Sequence, residues 1–153
     1  MISKREWRGE SGYVDLVFSC WLLVEKKLNT GFADKNNNDH GISFNGKMLA
    51  ISHYKDDASP AGSAVYVLPL EGGEPKLVTE KTPSYWHGWT ANHKEVLYVA
   101  MRDKETFDIY KKHIDKGPEV ALTNTRPGEH VDGSESSPDG KYIYINGSFS
   151  GSM

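Results

Sequence analysis

The sequence predicts an all-β fold, a partial β-propeller of about three four-stranded antiparallel blades. Three observations lead there. A turn-plus-strand pattern recurs in phase along the chain. No stretch of about 10–15 residues carries the 3.6-residue apolar period of a helix. The chain is also rich in residues that favour strands, with 8 Tyr, 4 Trp and 5 Phe among 153 residues.

Residues 1–35 fit the pattern least and read as a degenerate first blade or strand. No run of about 18 apolar residues is present, so no spanning helix is expected. Lys4, Arg5 and Arg8 precede an apolar stretch over 14–24, but Glu6, Glu10 and Asp15 interrupt the uninterrupted core that an export signal needs. Val17-Phe18-Ser19-Cys20 faintly resembles a lipoprotein cleavage site, with bulky Phe18 where a small residue is usual. The preferred reading of 14–28 is one or two strands, with Cys20 a buried small hydrophobe. A single cysteine excludes an internal disulfide framework and a Cys-rich zinc module.

The repeat begins near residue 36. Ile42-Ser43-Phe44-Asn45-Gly46-Lys47, Trp89-Thr90-Ala91-Asn92-His93-Lys94 and Ser136-Ser137-Pro138-Asp139-Gly140-Lys141 share one pattern, with the hydroxyl residues Ser43, Thr90 and Ser137 spaced by 47. Asn-Gly, Asn-His and Asp-Gly tolerate φ > 0, as tight hairpin turns require. Ala64-Val65-Tyr66 then matches Asp108-Ile109-Tyr110, and Leu77-Val78-Thr79 matches Ala121-Leu122-Thr123, both at a spacing of 44. A period of about 40–50 residues with about four strands is the signature of a propeller blade. One small twisted sheet cannot bury both faces alone, so it stacks on a neighbour. The expected units are a blade over 36–82, a blade over 83–127 and an incomplete blade over 128–153 that stops just after its first strand.

Taken together, Ser137-Pro138-Asp139-Gly140-Lys141, Asp108-Ile109-Tyr110 and Gly72-Gly73 leading to Leu77-Val78-Thr79 resemble the repeat of TolB-like β-propellers. The resemblance runs from about Thr30 to about Phe149. It implies a ring of about six blades in a complete member, and hence about half a propeller here. A half-ring leaves apolar blade faces and strand edges open. At ~25 cal/mol per Å², a face of several hundred Å² is worth on the order of ten kcal/mol. A homodimer closing a six-bladed ring is one expected solution.

The net charge of −3 argues against a nucleic-acid binder or a membrane-surface protein. No Walker loop and no Gly-x-Ser-x-Gly elbow is present. The sharpest constellation lies just before the turns, in Asn36-Asn37-Asn38-Asp39-His40-Gly41, Tyr85-Trp86-His87-Gly88 and His130-Val131-Asp132-Gly133. On innermost strands, His40, His87 and Asp132 would point towards a central channel, with Asp39 and Trp86 beside them. These five are the candidate ligand-binding residues. A structural role for the His-Gly pairs, turn chemistry for 36–38 and blade-interface packing for Tyr85, Trp86 and Trp89 are the competing readings. Asp56-Asp57 and Asp103 read as solvated turn residues, and Arg102 and Arg126 as members of salt bridges.

The expected function is a non-enzymatic module that binds a protein partner or a small polar or carbohydrate ligand, with no cofactor and no catalytic residue. The alternative is a carbohydrate-active propeller, implied by a resemblance to oligogalacturonate-lyase-like proteins, in which His40, His87 and Asp132 hold a divalent metal. A fragment without independent function is the third reading. The cytoplasm is the expected compartment. The periplasm is the alternative, because relatives of this fold are exported.

Overall fold

The computed structural model of the chain describes residues 16–18, 25–55, 62–102 and 105–150. The basic start, Cys20, Asp56-Asp57, Asp103 and the closing residues 151–153 lie outside the described residues. All described elements are strands, and their pairs are antiparallel. A two-stranded pair, β1 (Leu16–Phe18) and β2 (Glu25–Lys27), comes first. The next sheet holds β3 (Asn36–Ile42), β4 (Met48–Tyr54), β5 (Ser63–Pro69) and β6 (Lys76–Leu77), in that spatial order. A matching sheet holds β7 (Ser84–Trp89), β8 (Glu95–Met101), β9 (Phe107–His113) and β10 (Val120–Ala121). The last pair is β11 (His130–Ser136) and β12 (Ile143–Ser148).

The partial-propeller reading holds, with two complete blades. The third unit contains two strands where one was expected. The residues ahead of its turn, read as the entry to an innermost strand but not counted as a strand of the unit, form β11.

The three inner turns are built by one set of bonds. Ser43 Oγ donates to Asn45 Oδ1 at 2.8 Å, Thr90 Oγ1 to Asn92 Oδ1 at 2.8 Å, and Ser137 Oγ to Asp139 Oδ1 at 2.6 Å. The same oxygens accept from the amides of Lys47, Lys94 and Lys141 at 3.1, 2.8 and 3.1 Å. Gly46, His93 and Gly140 follow at φ of 71°, 61° and 71°, the left-handed region that favours glycine. This shared geometry is why the hydroxyl residue and the amide or acid recur at fixed spacing.

The outer strands have their own lock. Val65 N–H donates to Thr79 Oγ1 at 2.8 Å, and Ile109 N–H to Thr123 Oγ1 at 2.9 Å. The threonine hydroxyl thus holds β6 and β10 against the strand before them.

Blades are held face to face by apolar burial. Ala50, Val65, Val67 and Val78 of the first blade pack with Trp89, Val96, Tyr98 and Ala100 of the second. The alternate residues Leu49, Ile51, Ala64, Tyr66 and Leu68 face the other way, onto Leu28 and Ala33. Because β4 and β5 are covered on both faces, they read as near-continuous apolar runs instead of alternating ones. Each fully buried Val, Leu or Ile contributes about 1.5–3 kcal/mol, so these layers dominate stability. Polar bonds fix the register of the layers. Trp86 N–H donates to Ser52 Oγ at 2.8 Å and Trp89 Nε1–H to the Gly41 carbonyl at 3.0 Å. Among the described residues, no helix is long and apolar enough to cross a membrane.

Candidate functional site

β7 lies between β3 and β11, so these three strands form the inner edge of the assembly. Each carries a bulge, between Asn36 and His40, between Trp86 and Gly88, and between Val131 and Gly133. A bulge leaves its extra residue outside the ladder and turns that side chain in a new direction. The extra residues are His87 on β7 and Asp132 on β11, while on β3 the irregular stretch is 37–39 and includes Asp39.

This corrects the expected equivalence of His40, His87 and Asp132. His40 is regularly paired with Ile51, the position that Trp86 occupies opposite Tyr98. By the same register Gly88, opposite Leu97, corresponds to Glu135, opposite Tyr144, and not to Gly133. The third unit has two more residues between its glycine and its turn hydroxyl, and these displace its bulge along the strand.

Asp39 and Asp132, from the strands on either side, both act electrostatically on His87. Burial pushes the His87 imidazole below its ordinary value of 6.5, and the two carboxylates pull in the opposite direction without overcoming burial. His87 is therefore neutral at pH 7, with one nitrogen able to donate and the other to accept. Burial, with Tyr54 and Asp39 behind it, pushes the neighbouring Tyr85 phenol up. Asp39 is held by a local clasp, in which its own N–H donates to Asn37 Oδ1 at 2.7 Å and Asn37 Nδ2 donates to its Oδ2 at 3.0 Å. Asn36 Nδ2 donates to the Ala33 carbonyl at 3.0 Å. The asparagines at 36–38, expected to build a turn, lie instead at the start of β3. Asp132 is half-exposed, with its Oδ1 3.5 Å from His130 Nε2.

Glycines let these groups approach one another. A Cβ on Gly133 would lie 3.0 Å from His87 Nδ1 and 3.1 Å from Asn146 Oδ1, and one on Gly88 would lie 3.0 Å from the Ser134 carbonyl. A Cβ on Gly41 would overlap the Trp86 ring. Trp86 thus packs on the first blade and against the inter-blade core, as the interface reading expected.

A cleft of about 420 Å³ opens beside His87 and Asp132, lined also by Ser134, Glu135, Tyr144 and Asn146. Ser134 Oγ is buried with no hydrogen-bond partner among the described residues. Sequence reasoning missed these four lining residues. Their signal was the extra pair between Gly133 and Ser137, which is Ser134-Glu135 in part. The cleft is rich in acceptors, so it suits hydroxyl, ammonium or guanidinium donors. Among the described residues, no three His, Cys, Asp or Glu side chains come together in a group that would hold a metal ion, so His40, His87 and Asp132 do not form one.

No family model matches the chain. It is 48% identical over 129 residues to the uncharacterized protein Atu1656 of Agrobacterium fabrum, covering 84% of this chain and 42% of that protein. A solved structure designated TolB from Agrobacterium tumefaciens matches with 45% identity and a TM-score of 0.71, covering 81% of this chain and 43% of that one. TolB from Acinetobacter baumannii matches at 17% identity and a TM-score of 0.67, over 87% of this chain and 33% of that one. A prolyl endopeptidase matches at 16% identity and a TM-score of 0.65, over 90% of this chain and 23% of that one. At those two lower identities the likeness shows the fold alone. Repeated blades and these matches agree on the fold: the chain is similar to TolB-like β-propellers as a partial propeller, and it spans about two-fifths of the length of the Agrobacterium relatives it matches.

Proposed function

We propose that the chain is a non-enzymatic binding module that takes a protein partner or a small polar ligand where Asp39, His87 and Asp132 converge. The observation that carries this reading is that His87 and Asp132, from adjacent inner strands, line an acceptor-rich cleft, with Asp39 of the third inner strand acting electrostatically on His87. A ligand there would offer hydroxyl or cationic donors to the carboxylates, and the neutral imidazole would accept one further bond. The likeness to TolB proteins favours a protein partner, and it favours the periplasm over the cytoplasm as the compartment.

The test is calorimetric titration with oligosaccharides and with peptides bearing lysine or arginine. Binding is expected with one of these classes. Asp132→Asn, half-exposed and outside the core, is expected to weaken it roughly ten- to a hundredfold, because one charge-assisted bond is worth about 1.5–3 kcal/mol. The circular dichroism spectrum is expected to stay unchanged. Turnover of an oligosaccharide or peptide by the isolated chain would reject the non-enzymatic reading.

A further inference from the structure

The three inner turns share one set of bonds but differ in the groups they present. Behind the hydroxyl residue they read Phe44-Asn45-Gly46-Lys47, Ala91-Asn92-His93-Lys94 and Pro138-Asp139-Gly140-Lys141. Successive turns lie against one another. The His93 ring is 6.3 Å from the Phe44 ring at an inclination of 52°, and a Cβ on Gly140 would lie 3.1 Å from the Ala91 Cβ. Two departures from the repeat meet where the first two turns touch. His93 sits at φ 61°, where both other copies have glycine. A side chain is strained there, and the turn closes equally well without an imidazole. Its Nδ1 is buried with no hydrogen-bond partner among the described residues, and its ring rests near Phe44, which is 47% exposed. The second departure is charge. Asp139 lies 3.4 Å from the Lys141 ammonium, whereas Asn45 and Asn92 make the same turn bonds without a charge. Lys47 and Lys94 are exposed, and neither ammonium joins an ion pair among the described residues. The outer hairpins abut both lysines through Leu70 and Ile114 N–H, each 2.9 Å from the lysine carbonyl. Of the hairpin acids, Asp115 is held by Lys76 at 2.7 Å, Glu74 lies against Gly31, and Glu71 pairs with neither lysine.

We propose that the junction of the first two inner turns is an interaction surface for an acidic segment of a protein partner, which lays an aromatic side chain on Phe44 and its carboxylates against Lys47 and Lys94. Charge complementarity selects this occupant. Two unpaired ammonium groups beside an exposed ring accept carboxylates and turn away basic segments. Phe44 supplies the apolar anchor, the role aromatic residues commonly take in interfaces. His93 is a positioning residue, which holds the Phe44 ring at its angle and keeps it from folding onto the neighbouring turn. The surface lies between the two complete blades and shares no residue with the His87 cleft.

The probe is a synthetic peptide of alternating glutamate and phenylalanine, titrated into the full chain and followed by NMR. The amide signals of residues 43–47 and 90–94 are expected to move, and a peptide with lysine in place of glutamate is expected to leave them still. Lys47→Gln combined with Lys94→Gln is expected to weaken binding roughly tenfold, the combined effect of two exposed ion pairs. Phe44→Ser is expected to weaken it by a similar factor. His93→Gly restores the glycine of the other turns, so its thermal midpoint is expected to hold or rise while binding weakens severalfold. A residue with a purely structural role would leave binding unchanged. Unmoved turn signals, equal binding of the lysine peptide, binding that survives the double lysine variant, or full binding by His93→Gly would each overturn the proposal. So would a concentration-dependent dimer that moves the same signals without peptide, because it assigns the surface to a second copy. A failure here leaves the His87 cleft untouched, because none of these substitutions alters a residue that lines it.

Discussion

Arg102→Ala is expected to destabilise the chain by about 3–5 kcal/mol, the usual result of breaking a buried ion pair from one side. That is a large share of the roughly 5–15 kcal/mol that holds a domain. The Arg102 side chain is 6% exposed. Its guanidinium meets Glu119 through Nε and one terminal nitrogen, both at 2.9 Å. It also donates to the Pro83 carbonyl at 3.0 Å and to Ser84 Oγ at 2.9 Å, and lies 5.2 Å from the Tyr110 ring centre. Tyr98 Oη donates to the same carboxylate at 2.9 Å. Removing the cation leaves Glu119 charged, partly desolvated and held only by Tyr98 and Lys81.

The same cluster sets an acid limit. Burial alone would push the Glu119 carboxyl up, but hydrogen bonds from Arg102 and Tyr98 and the charge of Arg102 outweigh it and hold it at about 2, against an ordinary 4.5. A carboxyl depressed on folding stabilises fully above the unfolded value and loses that contribution as pH falls from about 4.5 towards 2. The loss is about 2–3 kcal/mol. Urea midpoints at pH 6 and pH 3 check both points. The wild-type chain is expected to lose stability across this interval, and Arg102→Ala to lose much less, from a lower starting value.

Asp108→Ala is expected to cost about 3 kcal/mol. One buried carboxylate oxygen, Oδ1, accepts from the Thr125 amide at 2.6 Å, Thr125 Oγ1 at 2.7 Å and Thr123 Oγ1 at 2.8 Å. Bonds to a charged acceptor are worth about 1.5–3 kcal/mol each and add incompletely within one network. The substitution strands a backbone donor and frees the threonine that locks β10. Asp108→Asn keeps an acceptor oxygen and is expected to retain about half of the lost stability. Thermal unfolding of the two variants separates the charge from the shape.

Asp108 also shows why much of this fold can be read from the chain. Thr123 Oγ1 donates to Asp108 and accepts from the Ile109 amide, so the spacing between this aspartate and its threonine is fixed by direct bonds. Ser43, Thr90 and Ser137 are legible for the same reason. The site is less legible. A bulge adds one residue to a strand without a compositional mark, so His40-Gly41 and His87-Gly88 look alike while only His87 leaves the ladder. The cleft depends on the register of β11 against β12, which an uninterrupted spacing argument shifts by two residues. Asp39, His87 and Asp132 were each visible as candidates, but their convergence depends on stacking between blades that lie some 45 residues apart in sequence.

The account rests on that convergence, and the His87 imidazole reports it directly. NMR titration of the full chain is expected to place its pKa below 6.5. Removing either flanking carboxylate, in Asp39→Asn or Asp132→Asn, is expected to lower it further, because each now favours the protonated ring. A His87 pKa at or above 6.5 that neither substitution moves would contradict the arrangement.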